Sequence, residues 1–142
     1  MHNRSYWTLA TMLVVTQTKA AVELVDEVLL ASFNVRTASR WAVRDGGDEI
    51  NGRTWDMRRE SVAKAIHISQ AAIIGTQEGI GWQLDELLVS LGESFQRVGI
   101  GRFGDGGDED EHAAIVYDTE RVLLVETGDF WLSETPERSS KS

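Results

Sequence analysis

Short apolar runs separated by polar, glycine-bearing stretches set the rhythm of this chain. Val28 to Val35 reads Val-Leu-Leu-Ala-Ser-Phe-Asn-Val. An apolar run that turns polar at its end predicts a buried strand. Arg36 to Thr54 is polar and contains Asp45-Gly46-Gly47-Asp48, which predicts a loop. Trp55 to Ala72 has no Gly or Pro. It places Val62, Ile66 and Ser69 on one helical face with Ala65 and Ala72 nearby, which predicts an amphipathic helix. Ala72 to Gly75 is a second buried run, followed by Thr76-Gln77-Glu78. Leu84, Leu87, Leu88 and Leu91 recur at helical intervals over Trp82 to Leu91, and Gly92 stands where such a helix would stop.

The remainder reads as β-rich. Phe95 to Ile100 predicts a strand, Gly101 to Glu111 a loop dense in Gly and Asp, and Ala113 to Tyr117 another strand. Asp118 to Glu120 is a turn. Val122 to Phe130 is a strand whose opening residues, Val122 to Val125, are the most β-like of the chain. The tail from Ser133 is polar and holds the single proline, Pro136. Strand, helix, strand, helix and then strands predict an α/β or α+β layered domain, with helices covering a sheet.

Composition narrows the chemistry. With 142 residues, 42% hydrophobic and 26% charged, the chain suits one globular domain with a real core. There is no cysteine, which removes disulfides, thiolate zinc sites and cysteine nucleophiles. The net charge of −9 argues against a strong non-specific grip on nucleic acid, because that grip comes from neutralising phosphates. The same acidity serves solubility and suits a protein that collects divalent cations.

The first residues form a candidate leader. His2, Asn3 and Arg4 are polar and weakly basic, Tyr6 to Val15 is mostly apolar, and Thr18-Lys19-Ala20 offers small residues at the spacing of a cleavage site. Residues 1–20 thus read as a signal peptide, with secretion implied, or else as a frayed amphipathic helix. The segment is too short to span a bilayer, and no other membrane span is expected.

Two predicted strands end in polar residues, Asn34 on the first and Gln77-Glu78 on the second. Ligands gather beyond the carboxyl ends of strands in open α/β sheets. If these strands are neighbours, Asn34 and Glu78 share one mouth, and a carboxylate beside a carboxamide is a hard oxygen site suited to magnesium or calcium. A Glu just before a helix also has a simpler role at the positive end of the helix dipole.

The motifs and their order resemble the endonuclease/exonuclease/phosphatase superfamily. Ser32-Phe33-Asn34-Val35-Arg36 resembles its first motif, Trp55 with Arg58-Arg59 the start of its first helix, and Ile73-Ile74-Gly75-Thr76-Gln77-Glu78 its second motif. Val98-Gly99-Ile100-Gly101-Arg102 and Ala114-Ile115-Val116-Tyr117 resemble the strands that follow. Gly128-Asp129-Phe130-Trp131-Leu132-Ser133-Glu134-Thr135-Pro136 resembles a run of small microbial members. The resemblance implies a four-layer α/β/β/α sandwich, of which residues 21–142 would be the N-terminal half. It implies hydrolysis of phosphoester bonds with Mg2+ or Mn2+. Glu78 would be the metal-binding Glu, and Asn34 would help to position metal and phosphate. Glu111 stands where relatives often carry an acidic residue, a candidate substrate or metal contact against the plainer reading of a solvated loop end.

The family's second half carries a strand ending in His, an Asp-x-Asn motif and a terminal Ser-Asp-His, and none of these occurs here. His67 lies in the first predicted helix. His112 follows Asp108-Glu109-Asp110-Glu111 and matches no catalytic His. The acidic run from Asp105 to Glu111 lacks the ordered alternation of a calcium loop and reads as an exposed loop. The expectation is a phosphoester hydrolase truncated before half of its active site, inactive alone and binding its metal weakly. A missing second sheet would leave one sheet face exposed and apolar, favouring association with the absent half or with itself. The alternative is a non-catalytic remnant or interaction module of the same fold.

Overall fold

The computed structural model describes residues 9–16, 27–38, 48, 51–102 and 110–132. A four-stranded mixed sheet lies at its centre. It is built from β2 (Leu30–Asn34), β3 (Ile73–Gln77), β5 (Phe95–Val98) and β7 (Ile115–Asp118), in the order β2-β3-β7-β5. β2 runs parallel to β3 with Leu30 opposite Ile73 and Asn34 opposite Gln77, while β7 is antiparallel to both β3 and β5. Two separate two-stranded ladders accompany the sheet, one long and one short. β1 (Leu9–Thr16) pairs antiparallel with β8 (Leu123–Trp131), and β4 (Gly79–Ile80) pairs antiparallel with β6 (Glu111–His112).

Two helices cover one face of the central sheet. α1 spans Trp55–Ser69 and α2 spans Gly81–Leu91. The core beneath them contains Val35, Trp55, Val62, Ala63, Ile66, Ile74, Leu87, Leu91 and Val116, with Ala31 and Phe33 packed against it. Alternation explains which strand residues contribute: Ala31, Phe33 and Val35 point one way along β2, and Ile74 lies on that same side of β3. Polar ties join the two helices. Glu86 accepts from the Trp55 indole N–H at 2.8 Å and from the Arg59 guanidinium at 3.0 Å, and the Ser90 hydroxyl donates to Glu60.

The other face carries a smaller apolar cluster of Ala72, Tyr117 and Val122, joined by Val28, Ile73, Val98 and Leu124. The expected bare apolar face is therefore only partly found. Leu124 of β8 packs onto this cluster, and Ser32, Gln77 and Gln96 make the rest of the face polar through side-chain hydrogen bonds. Apolar exposure concentrates at the margins, on Leu30 (73% exposed) and on Leu123, Val125, Phe130 and Leu132.

Several boundaries differ from expectation. α1 ends at Ser69 rather than Ala72, because Gln70 takes a left-handed conformation and its N–H bonds the His67 carbonyl. Ser69 is exposed and turns its hydroxyl back to the Ile66 carbonyl at 2.6 Å, so it caps the helix end instead of joining the core face. β3 runs through Gln77, two residues beyond its apolar run. Within the candidate leader, Leu9–Thr16 is a strand and not an amphipathic helix, in keeping with its β-branched residues Thr11, Val14, Val15 and Thr16. The rest of the leader, most of the predicted loops at 36–54 and 101–111, and the tail from Ser133 with Pro136 lie outside the described residues.

Gly79 sits where the chain leaves β3 for α2, and a Cβ there would lie 2.6 Å from the buried Leu84 side chain. Gly79→Ala is expected to destabilise the fold by about 1–3 kcal/mol through overpacking, read as a lower urea midpoint at unchanged slope.

Candidate functional site

The parallel pairing of β2 and β3 puts both carboxyl ends at one edge of the sheet. Asn34 closes β2, and Glu78 follows directly on β3. Their side chains meet: Asn34 Nδ2 donates to Glu78 Oε1 at 2.9 Å. Asn34 Oδ1 accepts the Arg36 backbone N–H at 2.8 Å, which fixes the orientation of its carboxamide. The second Glu78 oxygen accepts the Thr37 backbone N–H at 3.4 Å. A carboxylate has about four acceptor positions, so two remain for a ligand.

The backbone around this pair is held in an uncommon state. Arg36 has φ +53° and Glu78 has φ +63°, both left-handed and neither a glycine. Such conformations cost roughly 1–2 kcal/mol for ordinary residues and persist only where the surroundings impose them. Here the surroundings do. Arg58 of α1 donates to the carbonyls of both Val35 and Arg36. Gln83 of α2, fully buried, donates to the Arg36 carbonyl at 3.0 Å and the Val35 carbonyl at 3.4 Å, and accepts the Ala38 N–H at 3.0 Å. Arg36 extends to Asp48 in an ion pair, whose hydrogen bond holds the Asp48 carboxyl below the usual carboxylate range.

The other sequence candidates are placed differently. Glu111 lies opposite Ile80 in the β4–β6 ladder, so its backbone is near the site. Its carboxylate is engaged by the Arg102 guanidinium at 2.7 Å. Gln77 turns to the open sheet face, where it bonds Ser32 and the Gly75 carbonyl. His67 is exposed on α1 with its ring edge against Phe95. His112 pairs with Gly79 and is buried at 5% exposure, and among the described residues neither ring nitrogen has a hydrogen-bond partner. Burial pushes the His112 ring pKa down, helped by the positive charge of Arg97 and opposed by the Gly99 backbone, Asp110 and Asp85.

The donor set fits a hard cation in part. Glu78 offers one carboxylate, and Asn34, with its N–H turned to Glu78, steadies that carboxylate. Among the described residues no group of three or more His, Cys, Asp and Glu side chains could hold a metal. Magnesium commonly keeps several waters and takes one or two carboxylates, so this pair suits a loosely held ion and not a caged one. Sequence reasoning missed Gln83 and the buried state of His112. A Gln inside a leucine-rich helix, two positions after the Gly that opens it, was the available sign for the first.

The Glu78 backbone gives a direct test. Glu78→Gly and Glu78→Ala both delete the carboxylate, but only glycine is free at positive φ. The glycine variant is expected to be more stable than the alanine variant by about 1 kcal/mol in chemical denaturation. His112 gives a second test. Its folded pKa lies below the ordinary value of 6.5, so its contribution is fully present above 6.5 and is lost as the pH falls towards the folded value, where the unfolded chain takes the proton more readily. Replacing it by leucine is expected to flatten the decline in melting temperature as the pH falls below 6.5, relative to the parent chain.

No family model matches the chain, and no curated protein matches it. Solved structures do. A mannosyl-6-phosphatase from Bacteroides thetaiotaomicron is 38% identical with a TM-score of 0.66, the match covering 80% of this chain and 40% of that one. An endonuclease/exonuclease/phosphatase family protein from the same organism is 34% identical with a TM-score of 0.65, covering 96% of this chain and 41% of its own. A third, from Bacteroides vulgatus, is 26% identical with a TM-score of 0.62, covering 80% and 40%. The chain thus spans about 40% of the length of these relatives, as a half domain does. The order of its strands and helices, the Asn34 and Glu78 strand ends and these likenesses agree: the chain belongs to the endonuclease/exonuclease/phosphatase superfamily, as a partial member.

Proposed function

We propose that this chain carries the Glu-and-Asn portion of a Mg2+- or Mn2+-dependent phosphoester hydrolase site and does not turn over substrate alone. The observation that carries the reading is the Asn34–Glu78 hydrogen bond at the shared carboxyl end of two parallel strands. In this role Glu78 is the ion's carboxylate ligand. Asn34 keeps that carboxylate oriented, with its own carboxamide fixed by the Arg36 N–H. A bound divalent ion supplies charge neutralisation at phosphoryl oxygens as negative charge develops. Arg36, half-exposed beside the pair, brings a guanidinium to the same edge, where it is paired with Asp48.

Incomplete catalysis is supported by the residue inventory. Among the described residues no group of three or more His, Cys, Asp and Glu side chains gathers to hold a metal, and the Glu111 carboxylate is engaged by Arg102. For substrate, the bacterial relative named a mannosyl-6-phosphatase makes a hexose phosphate the first compound to try. The net charge of −9 favours such a small phosphoester over long nucleic acid. Among the described residues no helix is long and apolar enough to cross a membrane.

The test pairs binding with turnover. Mn2+ is expected to broaden the NMR signals of Asn34 and Glu78 selectively, and Glu78→Gln is expected to abolish this. Phosphate release from mannose 6-phosphate with Mg2+ is expected to stay at the uncatalysed level. Robust Mg2+-dependent release that disappears in Glu78→Gln would overturn the incompleteness, and unchanged Mn2+ broadening in that variant would overturn the ligand assignment.

A further inference from the structure

Two adjacent backbone carbonyls just after Asn34 are served with unusual completeness. The Val35 and Arg36 carbonyls each accept from Arg58, which comes from α1, and from Gln83, which comes from α2. A carbonyl has two lone pairs, so both positions on both oxygens are filled. Gln83 makes this contact from a fully buried position, and its remaining oxygen takes the Ala38 N–H. Burying a carboxamide is costly unless its groups are bonded, and here all of its bonds go to one four-residue segment. Arg58 is also fixed at its other edges. Its Nε donates to the Arg53 carbonyl, and its guanidinium lies 5.1 Å from the centre of the Trp55 ring.

The segment so held is the one that orients the site. Arg36 is left-handed within it, and its N–H fixes the Asn34 carboxamide, whose Nδ2 meets Glu78. The next N–H, that of Thr37, reaches the other Glu78 oxygen. We infer that Gln83, with Arg58, is a positioning residue: a clamp from two helices that imposes the left-handed turn at Arg36 and thereby sets Asn34 and Thr37 against the Glu78 carboxylate. Its functional meaning rests on the metal reading given above, while its structural effect does not. Groups that orient a metal ligand from behind commonly change metal affinity by about 10- to 100-fold when lost.

The experiment uses the full chain, isotopically labelled. Gln83→Met keeps the length of the side chain and deletes all three bonds. The expected result is that the methyl signals of Ile74 and Val116, in the core beneath the sheet, stay in place. The Asn34 side-chain amide signals shift, and the Mn2+ needed to broaden Asn34 and Glu78 rises by roughly tenfold. Unmoved Asn34 amide signals with unchanged Mn2+ broadening would overturn the clamp. Where Gln83→Met fails to fold, Gln83→Glu keeps an acceptor for Ala38 N–H and removes the amide donors, and it must shift the same Asn34 signals for the inference to stand. If the parent chain shows no Mn2+ broadening, the metal reading fails, and the Asn34 amide signals still decide the clamp separately.

Discussion

The parallel ladder between β2 and β3 is the constraint on which the site depends. Two parallel strands end at the same edge, so the register that sets Asn34 opposite Gln77 also brings Glu78, one residue later, within reach of Asn34. A slip of one residue would move Asn34 to the helix side and send Phe33 to the open face, which the core forbids. The hydrophobic contact of Ala31, Phe33 and Val35 with α1 and α2 therefore does two tasks. It stabilises the layer, and it sets the spacing of two polar groups that make no core contact themselves.

Much of this was legible because it follows from periodicity. The apolar runs at Val28–Val35 and Ala72–Gly75 have the length of buried strands, and the leucines from Leu84 to Leu91 have helical spacing. A polar residue ending each strand pointed to a shared mouth once the strands proved to be neighbours. What was not legible is conformational or relational. Nothing in the identities of Gln70, Arg36 or Glu78 announces a positive φ, because the surroundings impose it. Gln83 reads as an ordinary helix residue until its carbonyl partners, some 47 residues earlier, are known. The end of α1 was missed because Ser69 can join an apolar face or fold back on the backbone, and the Ile66 carbonyl decides between them.

The overall charge of −9 describes the surface and not the site. Beside Asn34 and Glu78 stand two guanidiniums, Arg36 and Arg58, one paired with Asp48 and one spent on carbonyls. The Asp48 and Glu78 carboxylates offset these two charges, so the edge is a place of paired opposite charges within an acidic protein. The open sheet face, part polar and part covered by the start of β8, shows a comparable division, with apolar exposure gathered at its margin.

The supports around Glu78 also differ in kind. On one side Gly79 lies against Leu84 with no room for a methyl group, a steric contact. On the other, Arg36 reaches through an ion pair to Asp48, whose carboxylate is largely buried. Acid acts on the second by protonating Asp48 and leaves the first untouched, while salt screens a partly buried pair only weakly. As acidity rises, the Arg36 side chain is therefore released from Asp48, while its carbonyl stays held by Arg58 and Gln83 and the Gly79 side stays seated. The two supports thus answer to different stresses, one to protonation and the other to added volume.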